Sequence, residues 1–507
     1  MNWRTVTSSR PTARAERFLW PLGAAVLCAI ALSVALGTVG GLTWPYDGDH
    51  FRDIAQAQTT LDGHPLADPF YRGEWIWYNP LVPWVVAIAS YLTGAPPSLV
   101  HVQGGPWLNL IAPLAFYVLC SRVAGQRPAM VSLALLLFVN CRNDPSLTCA
   151  TYSPWLFVAT FTQGLFFLAI VAMDIAASRR TDPSAALVGL LAGLTFLSHT
   201  GPALVLGGVA LATLPRRSIL VSGLVALVIA SPFVWSIAWH YRLHIRNPTP
   251  MAWTWPPVSL DGFPATLASN AVLLAAALPG LLLVKSRVVR AWLVVAALLT
   301  AYGLSREAAP SLPAIVPTFH FWRYFLAGAT LLAGASVAWA FERLTGRFAA
   351  PVMALVLALM VAWVLPQYRV RFDFVYGRGV AQRRNPDLSA AATFLHKSTP
   401  PDAVVLGSRG LSLEVIGPAG RKVVGVNANW ANPYIDNGPR VAARDSMLAD
   451  IDAGRVDAFT TQAMRAGVTH AVGMGQHECD SMAAAKLQPL YRFGDVCVLA
   501  GPGEPMR

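Results

Sequence analysis

Charge is scarce in this sequence. Only 13% of its 507 residues are Asp, Glu, Lys or Arg, against 55% hydrophobic. A soluble globular domain carries about twice that charged fraction, and the mean hydropathy of +0.49 excludes one as firmly. The roughly ten-residue alternating strands of a membrane β-barrel are absent as well. Six cysteines are few for the length. No Walker loop occurs, which argues against a nucleotide-driven pump. His470, His477 and Cys479 lack the paired spacing of a zinc module. No internal repeat or low-complexity tract interrupts the chain.

What the sequence has in quantity is apolar runs separated by short basic loops, the pattern of a polytopic helical membrane protein. Eleven segments are expected to cross: approximately 18–42, 103–120, 129–140, 154–177, 185–199, 202–214, 218–237, 266–283, 291–304, 321–341 and 350–366. The first is longer than a signal-peptide core of about 7–15 residues and leads straight into polar chain, so it reads as a retained helix. The formal charge of +12 is spread over many loops. That distribution suits the positive-inside rule and not a nucleic-acid partner. Arg122/Arg127, Arg179/Arg180, Arg216/Arg217, Lys285/Arg287/Arg290 and Arg343/Arg347 fall in every second loop and share the cytoplasmic side with the basic residues 1–17. Pro80 to Thr93 is apolar too, but a crossing there would move every later basic cluster outside. It is expected to be a juxtamembrane or partly inserted helix.

This parity makes 18–366 a transmembrane domain whose loops 43–102, 141–153, 238–265 and 305–320 lie outside. Residues 367–507 form an extracytoplasmic domain. From about 386 onward it reads as layered α/β structure, with helices near 387–398 and 441–453 and strands at 403–407, 422–426, 469–473 and 491–500. Cys141 with Cys149, and Cys479 with Cys497, are candidate disulfides if these regions face an oxidising compartment. Free thiols are the alternative.

Nearly all residues capable of chemistry fall in the outer loops. The densest stretch is Trp44-Pro45-Tyr46-Asp47-Gly48-Asp49-His50-Phe51-Arg52-Asp53, directly after the first span. Three further stretches follow: Leu61-Asp62-Gly63-His64-Pro65-Leu66-Ala67-Asp68-Pro69-Phe70, Tyr78-Asn79-Pro80-Leu81-Val82-Pro83 and Leu194-Thr195-Phe196-Leu197-Ser198-His199-Thr200-Gly201-Pro202. A last one is Phe319-His320-Phe321-Trp322-Arg323-Tyr324. In this order, and with a globular tail after the last span, they resemble the GT-C membrane glycosyltransferases. Those include aminoarabinose and mannosyl transferases that use polyprenyl-phosphate sugars. The resemblance spans most of the chain in layout and about fifty residues in motif.

It implies a polyprenyl-phosphate sugar donor, a glycan, lipid or protein acceptor, and a bacterial inner-membrane setting. It also implies a catalytic base just after the first helix, Asp49 or else Asp47. Such a transfer needs a base for the incoming hydroxyl and cations for the departing phosphate. Arg52, Arg72, His320 and Arg323 supply the cations. His64, Asp68, Glu74 and His199 are the remaining candidate contacts. Each has a plainer reading. Asp53 caps or solvates the next helix, His64 and Asp68 shape a Gly/Pro turn, and Glu74 sits at the interface beside Trp75 and Trp77. His199 packs in the bundle, and Arg323 snorkels from a helix end. Some such enzymes hold phosphate with a divalent cation. Asp47 and Asp49 would help ligate one, but two carboxylates without further ligands do not establish such a site, so a divalent cation stays open and no cofactor is assigned as certain.

Two other classes compete. A transporter of lipid-linked glycans would show interrupted helices and charges within the spans. A non-catalytic scaffold would tolerate alanine at the aspartates.

Overall fold

The structure, a computed structural model, describes residues 12–140, 150–375 and 378–502. The expected Cys141–Cys149 pair lies outside these. Among the described residues, seven helices are long and apolar enough to cross a bilayer: Phe18–Val39, Pro97–Ala124, Val158–Arg179, Arg216–His240, Arg287–Ala308, Phe319–Thr345 and Ala349–Arg369. Phe263–Ser269 and Ala271–Leu283, bent by 69° relative to each other, make an eighth if they form one span. The other three expected crossings are also helical, as Gln126–Val139, Asp182–Ser198 and Thr200–Thr213, but each is shorter than 18 residues. At about 1.5 Å per residue none alone reaches across a hydrocarbon core of about 30 Å. The chain from 80 to 93 forms a separate helix, Leu81–Thr93, closed by Gly94 in the left-handed conformation.

Lipid offers no hydrophobic drive between helices, so close backbone approach decides their packing. Gly189 and Gly193 lie one turn apart on Asp182–Ser198. A β carbon at Gly189 would come within 2.4 Å of the Ser222 carbonyl, and one at Gly193 within 2.8 Å of Ile229 Cβ. The helix Phe319–Thr345 is buried around most of its circumference. Its Tyr324 meets Phe166 at 4.3 Å between ring centroids, and Trp292 closes the same aromatic cluster.

The helix starting at Asp47 organises the outer side. Asp47 caps it, accepting the Asp49 backbone N–H at 2.9 Å, and the helix runs Gly48–Leu61. Every residue from His50 to Thr59 is buried. A lone surface helix would leave one face wet. Here the membrane bundle covers one face and the tail covers the other.

The tail begins with Arg378–Ser398, after the last membrane helix has continued past 366 to Val375. Five strands follow: β1 Val404–Gly407, β2 Lys422–Val423, β3 Val468–Met474, β4 Gln488–Phe493 and β5 Val496–Ala500. Their spatial order is β2-β1-β3-β5-β4, parallel among the first three and antiparallel thereafter. The single strand expected at 491–500 is thus a hairpin, because Gly494 at φ 48° turns the chain between β4 and β5. The helices Val456–Ala466 and Gly475–Ala484 are additions to the sequence reading. Cys479 and Cys497 are disulfide-bonded, joining the second of these helices to β5. Cys28 and Cys120 are free and buried.

Candidate active site

Asp49, Arg52 and Asp53 share one face of the first-loop helix, as an i, i+3, i+4 spacing dictates. The Arg52 guanidinium donates from Nη1 to Asp49 Oδ1 at 3.0 Å, and from Nε and Nη2 to Asp53 Oδ1 at 3.2 and 3.0 Å. Its charged plane lies 3.4 Å from the centroid of the Tyr78 ring, a cation–π contact in a desolvated place. Asp49 Oδ1 accepts a second hydrogen bond, from Trp430 Nε1 of the tail, at 3.0 Å. No described hydrogen bond reaches Asp49 Oδ2, and the side chain is 43% exposed.

Two neighbouring carboxyls have raised pKa values. Burial, aided by the Asp49 charge and opposed by the Asp49 amide and Arg52, pushes Asp47 up to about 7. Burial raises Asp53 to about 7 as well, against the pull of Arg52. The second oxygen of Asp53 is buried without a hydrogen bond. The next residue in the motif, His50, turns into the protein, between His101 at 5.1 Å and Phe157 at 4.2 Å between ring centroids. Burial first, then His101 and Arg52, hold its pKa well below the ordinary histidine value, so it is neutral.

A second group gathers at the break between Asp182–Ser198 and Thr200–Thr213. His199 Nδ1 accepts the Gly201 N–H at 3.1 Å, and its ring meets that of His320 at 4.3 Å. Arg323, one turn beyond His320 on the same helix, is also buried. Asn79 ties this group to the first. It follows Tyr78 in sequence, and its side chain donates to the Phe196 carbonyl and meets Thr200 Oγ1.

The other expected contacts separate from this centre. Asp68 is buried. It accepts the Phe70 and Tyr71 N–H groups at 2.7 and 3.0 Å and Asn432 Nδ2 at 3.0 Å. Burial raises its pKa to about 6 against these donors. Glu74 pairs with Arg440 at 3.1 Å and accepts from the Tyr241 hydroxyl at 3.3 Å. His64 is exposed in the turn after the first-loop helix. Arg72 reaches the tail, donating from Nε to the Asp402 carbonyl at 2.9 Å.

The tail thus closes over the first loop. Arg421 pairs with Asp62 at 3.1 Å, Lys422 Nζ donates to the Asp68 carbonyl at 2.7 Å, and the Val423 N–H donates to the Phe70 carbonyl at 2.8 Å. Tyr71 bonds Asn437. These contacts put residues 43–79 and the tail on one side of the bundle. Asp53, read from the sequence as a cap, belongs to the Asp49–Arg52 cluster, and Trp430 joins it from the tail. The i+4 spacing from Asp49 was the available signal for Asp53. For Trp430 there was none, since 381 residues separate it from its partner.

Among the described residues, no group of three or more His, Cys, Asp or Glu side chains is arranged to hold a metal ion.

No family model matches the chain, and no curated protein sequence does. Solved structures do. The archaeal oligosaccharyltransferase AglB from Archaeoglobus fulgidus, in complex with an inhibitory peptide and a dolichol-phosphate, superposes with a TM-score of 0.56 at 12% identity, over 92% of this chain and 71% of that one. ArnT from Cupriavidus metallidurans bound to undecaprenyl phosphate gives 0.55 at 14% identity, over 94% and 97%. Its apo state gives 0.54 at 14%, over 95% and 99%. The chain shares the fold of these structures, a polytopic helical domain followed by a C-terminal domain.

Proposed function

We propose that this chain is an inverting membrane glycosyltransferase that moves a sugar from a polyprenyl-phosphate donor to an acceptor hydroxyl on the outer face. The observation that carries the reading is the state of Asp49. One carboxylate oxygen is fixed by Arg52 and Trp430, and the other is open on a partly exposed side chain. An oriented carboxylate with one unoccupied oxygen is what a general base requires. Asp49 Oδ2 takes the proton of the acceptor hydroxyl. The acceptor oxygen attacks the anomeric carbon from the side opposite the phosphate, and the bond from that carbon to the phosphate oxygen breaks with its electron pair. Arg323 and Arg52 offset the charge left on the departing phosphate, while His199 and His320 orient it. Asp47, the helix cap, is the second candidate for the base.

Glu74 and His64 are read as acceptor-side contacts, and Asp68 as a tie between the first loop and the tail. The arginine-bearing loops are assigned to the cytoplasm, and 18–366 to the membrane-embedded catalytic domain. The first loop and the domain 367–507 are assigned to the extracytoplasmic side of a bacterial inner membrane. Dolichol-phosphate and undecaprenyl phosphate, bound by the structural neighbours, are polyprenyl phosphates of the expected kind. The acceptor is a glycan, lipid or protein.

The test is release of polyprenyl phosphate by purified protein from a panel of polyprenyl-phosphate mannose, glucose and arabinose, with an envelope extract as acceptor. Acceptor-dependent release from at least one donor is expected. The bent pair Phe263–Ser269 and Ala271–Leu283 is a feature that a transporter of lipid-linked glycans would share. Such a protein would release no polyprenyl phosphate from any donor.

A further inference from the structure

Trp430 stands on the tail, yet its indole reaches the carboxylate proposed above as the base. Its loop is fixed on both flanks. On one side, Asn247 Nδ2 donates to the Ala428 carbonyl at 2.9 Å, and the Arg246 and Asn247 N–H groups donate to the Pro433 carbonyl at 2.8 and 2.9 Å. On the other, Asn432 Nδ2 bonds Asp68 at 3.0 Å and the Tyr241 hydroxyl at 2.9 Å. Tyr241 and Tyr434 stack behind it at 4.9 Å. The indole is therefore held by the first loop, by the segment after the span Arg216–His240 and by its own domain at once.

The first-loop helix is shaped to receive it. A β carbon at Gly48 would lie 2.3 Å from Trp430 Cζ2 and 2.5 Å from Cε2, well inside van der Waals contact. The residue between the two candidate bases is thus a glycine because the tail's indole rests on it. With the ring seated there, Nε1 meets the same Asp49 oxygen that Arg52 holds from the other direction. Two donors hold Oδ1, while no described hydrogen bond reaches Oδ2 on a side chain that is 43% exposed.

We propose that Trp430 is the positioning residue of the base. Its N–H, delivered by the C-terminal domain, sets the orientation of Asp49, so the membrane bundle alone does not contain a competent site. The inference rests on the reading of Asp49 as the base. It adds a catalytic reason for the tail to be docked and a specific partner for Gly48.

The experiment uses full-length protein in nanodiscs and whichever of the three polyprenyl-phosphate sugars is turned over. Trp430→Phe keeps the ring and removes the N–H. The expected result is a kcat lower by roughly ten- to a hundredfold, the scale for a misplaced catalytic group, with the donor KM within about twofold. That split marks an interaction made in the transition state rather than in binding. Gly48→Ala in the presence of Trp430 should lose a comparable factor. Added to Trp430→Ala, where the ring is gone, it should cost nothing further. This pair decides the matter if Trp430→Phe folds poorly. Wild-type kcat in Trp430→Phe beside an inactive Asp49→Asn overturns the inference and leaves the base standing. Losses from Gly48→Ala and Trp430→Ala that simply multiply overturn it too. Full turnover in Asp49→Asn removes the reading of the base, and the inference falls with it.

Discussion

The two ends of the helical bundle hold their charges differently. At the arginine-rich end the ion pairs lie at the surface: Arg217 with Asp182, whose side chains are 80% and 46% exposed, Arg122 with Asp174, and Arg127 with Glu342. Water and salt screen such pairs, and each contributes about 0–1 kcal/mol. At the opposite end some pairs are exposed as well, such as Arg72 with Asp402, but two are enclosed. Arg52 with Asp53 is buried under the tail, and Arg421 with Asp62 is 2% and 10% exposed. Burying a charge costs several kcal/mol and is offset only by well-made partners. A chain with so few charges that encloses several of them on one side is using that side for more than solubility. In the proposed topology the arginines at the other end set orientation. The enclosed charges build a floor and fasten a roof to it.

The sharpest way to break this contrast is to remove one partner of an enclosed pair. Asp62→Ala leaves Arg421 buried with only hydroxyl and carbonyl partners, at Thr399, His396 and Ala419. The expected loss is about 3 kcal/mol, the lower part of the range for a broken buried pair. It should be read as a lower denaturation midpoint together with faster proteolysis of the tail.

A smaller effect sharpens the difference between the two candidate bases. Asp47 is pushed up from an ordinary 3.8 to about 7, so the folded state holds its proton more tightly than the unfolded chain does. Its contribution to stability is present below about pH 4 and is lost as pH rises through 7. Asp47→Asn keeps a helix-capping oxygen and has no proton to lose. Thermal midpoints measured from pH 4 to 8 should therefore decline less in the variant than in the wild type. An unchanged decline would assign the pH dependence elsewhere.

The smallest effect belongs at the arginine-rich end. Arg217→Ala should change the midpoint by no more than the equivalent of about 1 kcal/mol, and that change should shrink at high salt. A loss as large as that of Asp62→Ala would erase the distinction between the two ends.

Much of this was legible in the residues because the bilayer imposes it. Apolar runs between basic loops marked all eleven helical segments. Short β-branched runs such as Val404-Val405-Leu406-Gly407, set between Pro- and Gly-bearing turns and helical stretches, marked an α/β tail. Lengths were less legible. Thr200–Thr213 is as apolar as a span but stops short, since Leu214-Pro215 ends it. The strand expected over 491–500 concealed a turn at Gly494. Within the site, contacts between residues near in sequence could be anticipated: Asp49 with Arg52, and His320 with Arg323 by helical spacing. Contacts between distant residues could not. His199 meets His320 because two helices converge, and Trp430 meets Asp49 because an entire domain docks. Asp68 looked like a turn residue or a ligand, and its partners are the amides of its own turn together with Asn432 from the tail.

The central claim is tested most directly by comparing Asp49→Asn with wild type on the donor that the panel identifies, at equal folded protein and saturating donor. Loss of a positioned general base lowers the rate by about 10²–10⁴-fold, so release of polyprenyl phosphate should fall by that factor while donor binding persists. Release at the wild-type rate from Asp49→Asn would contradict the account.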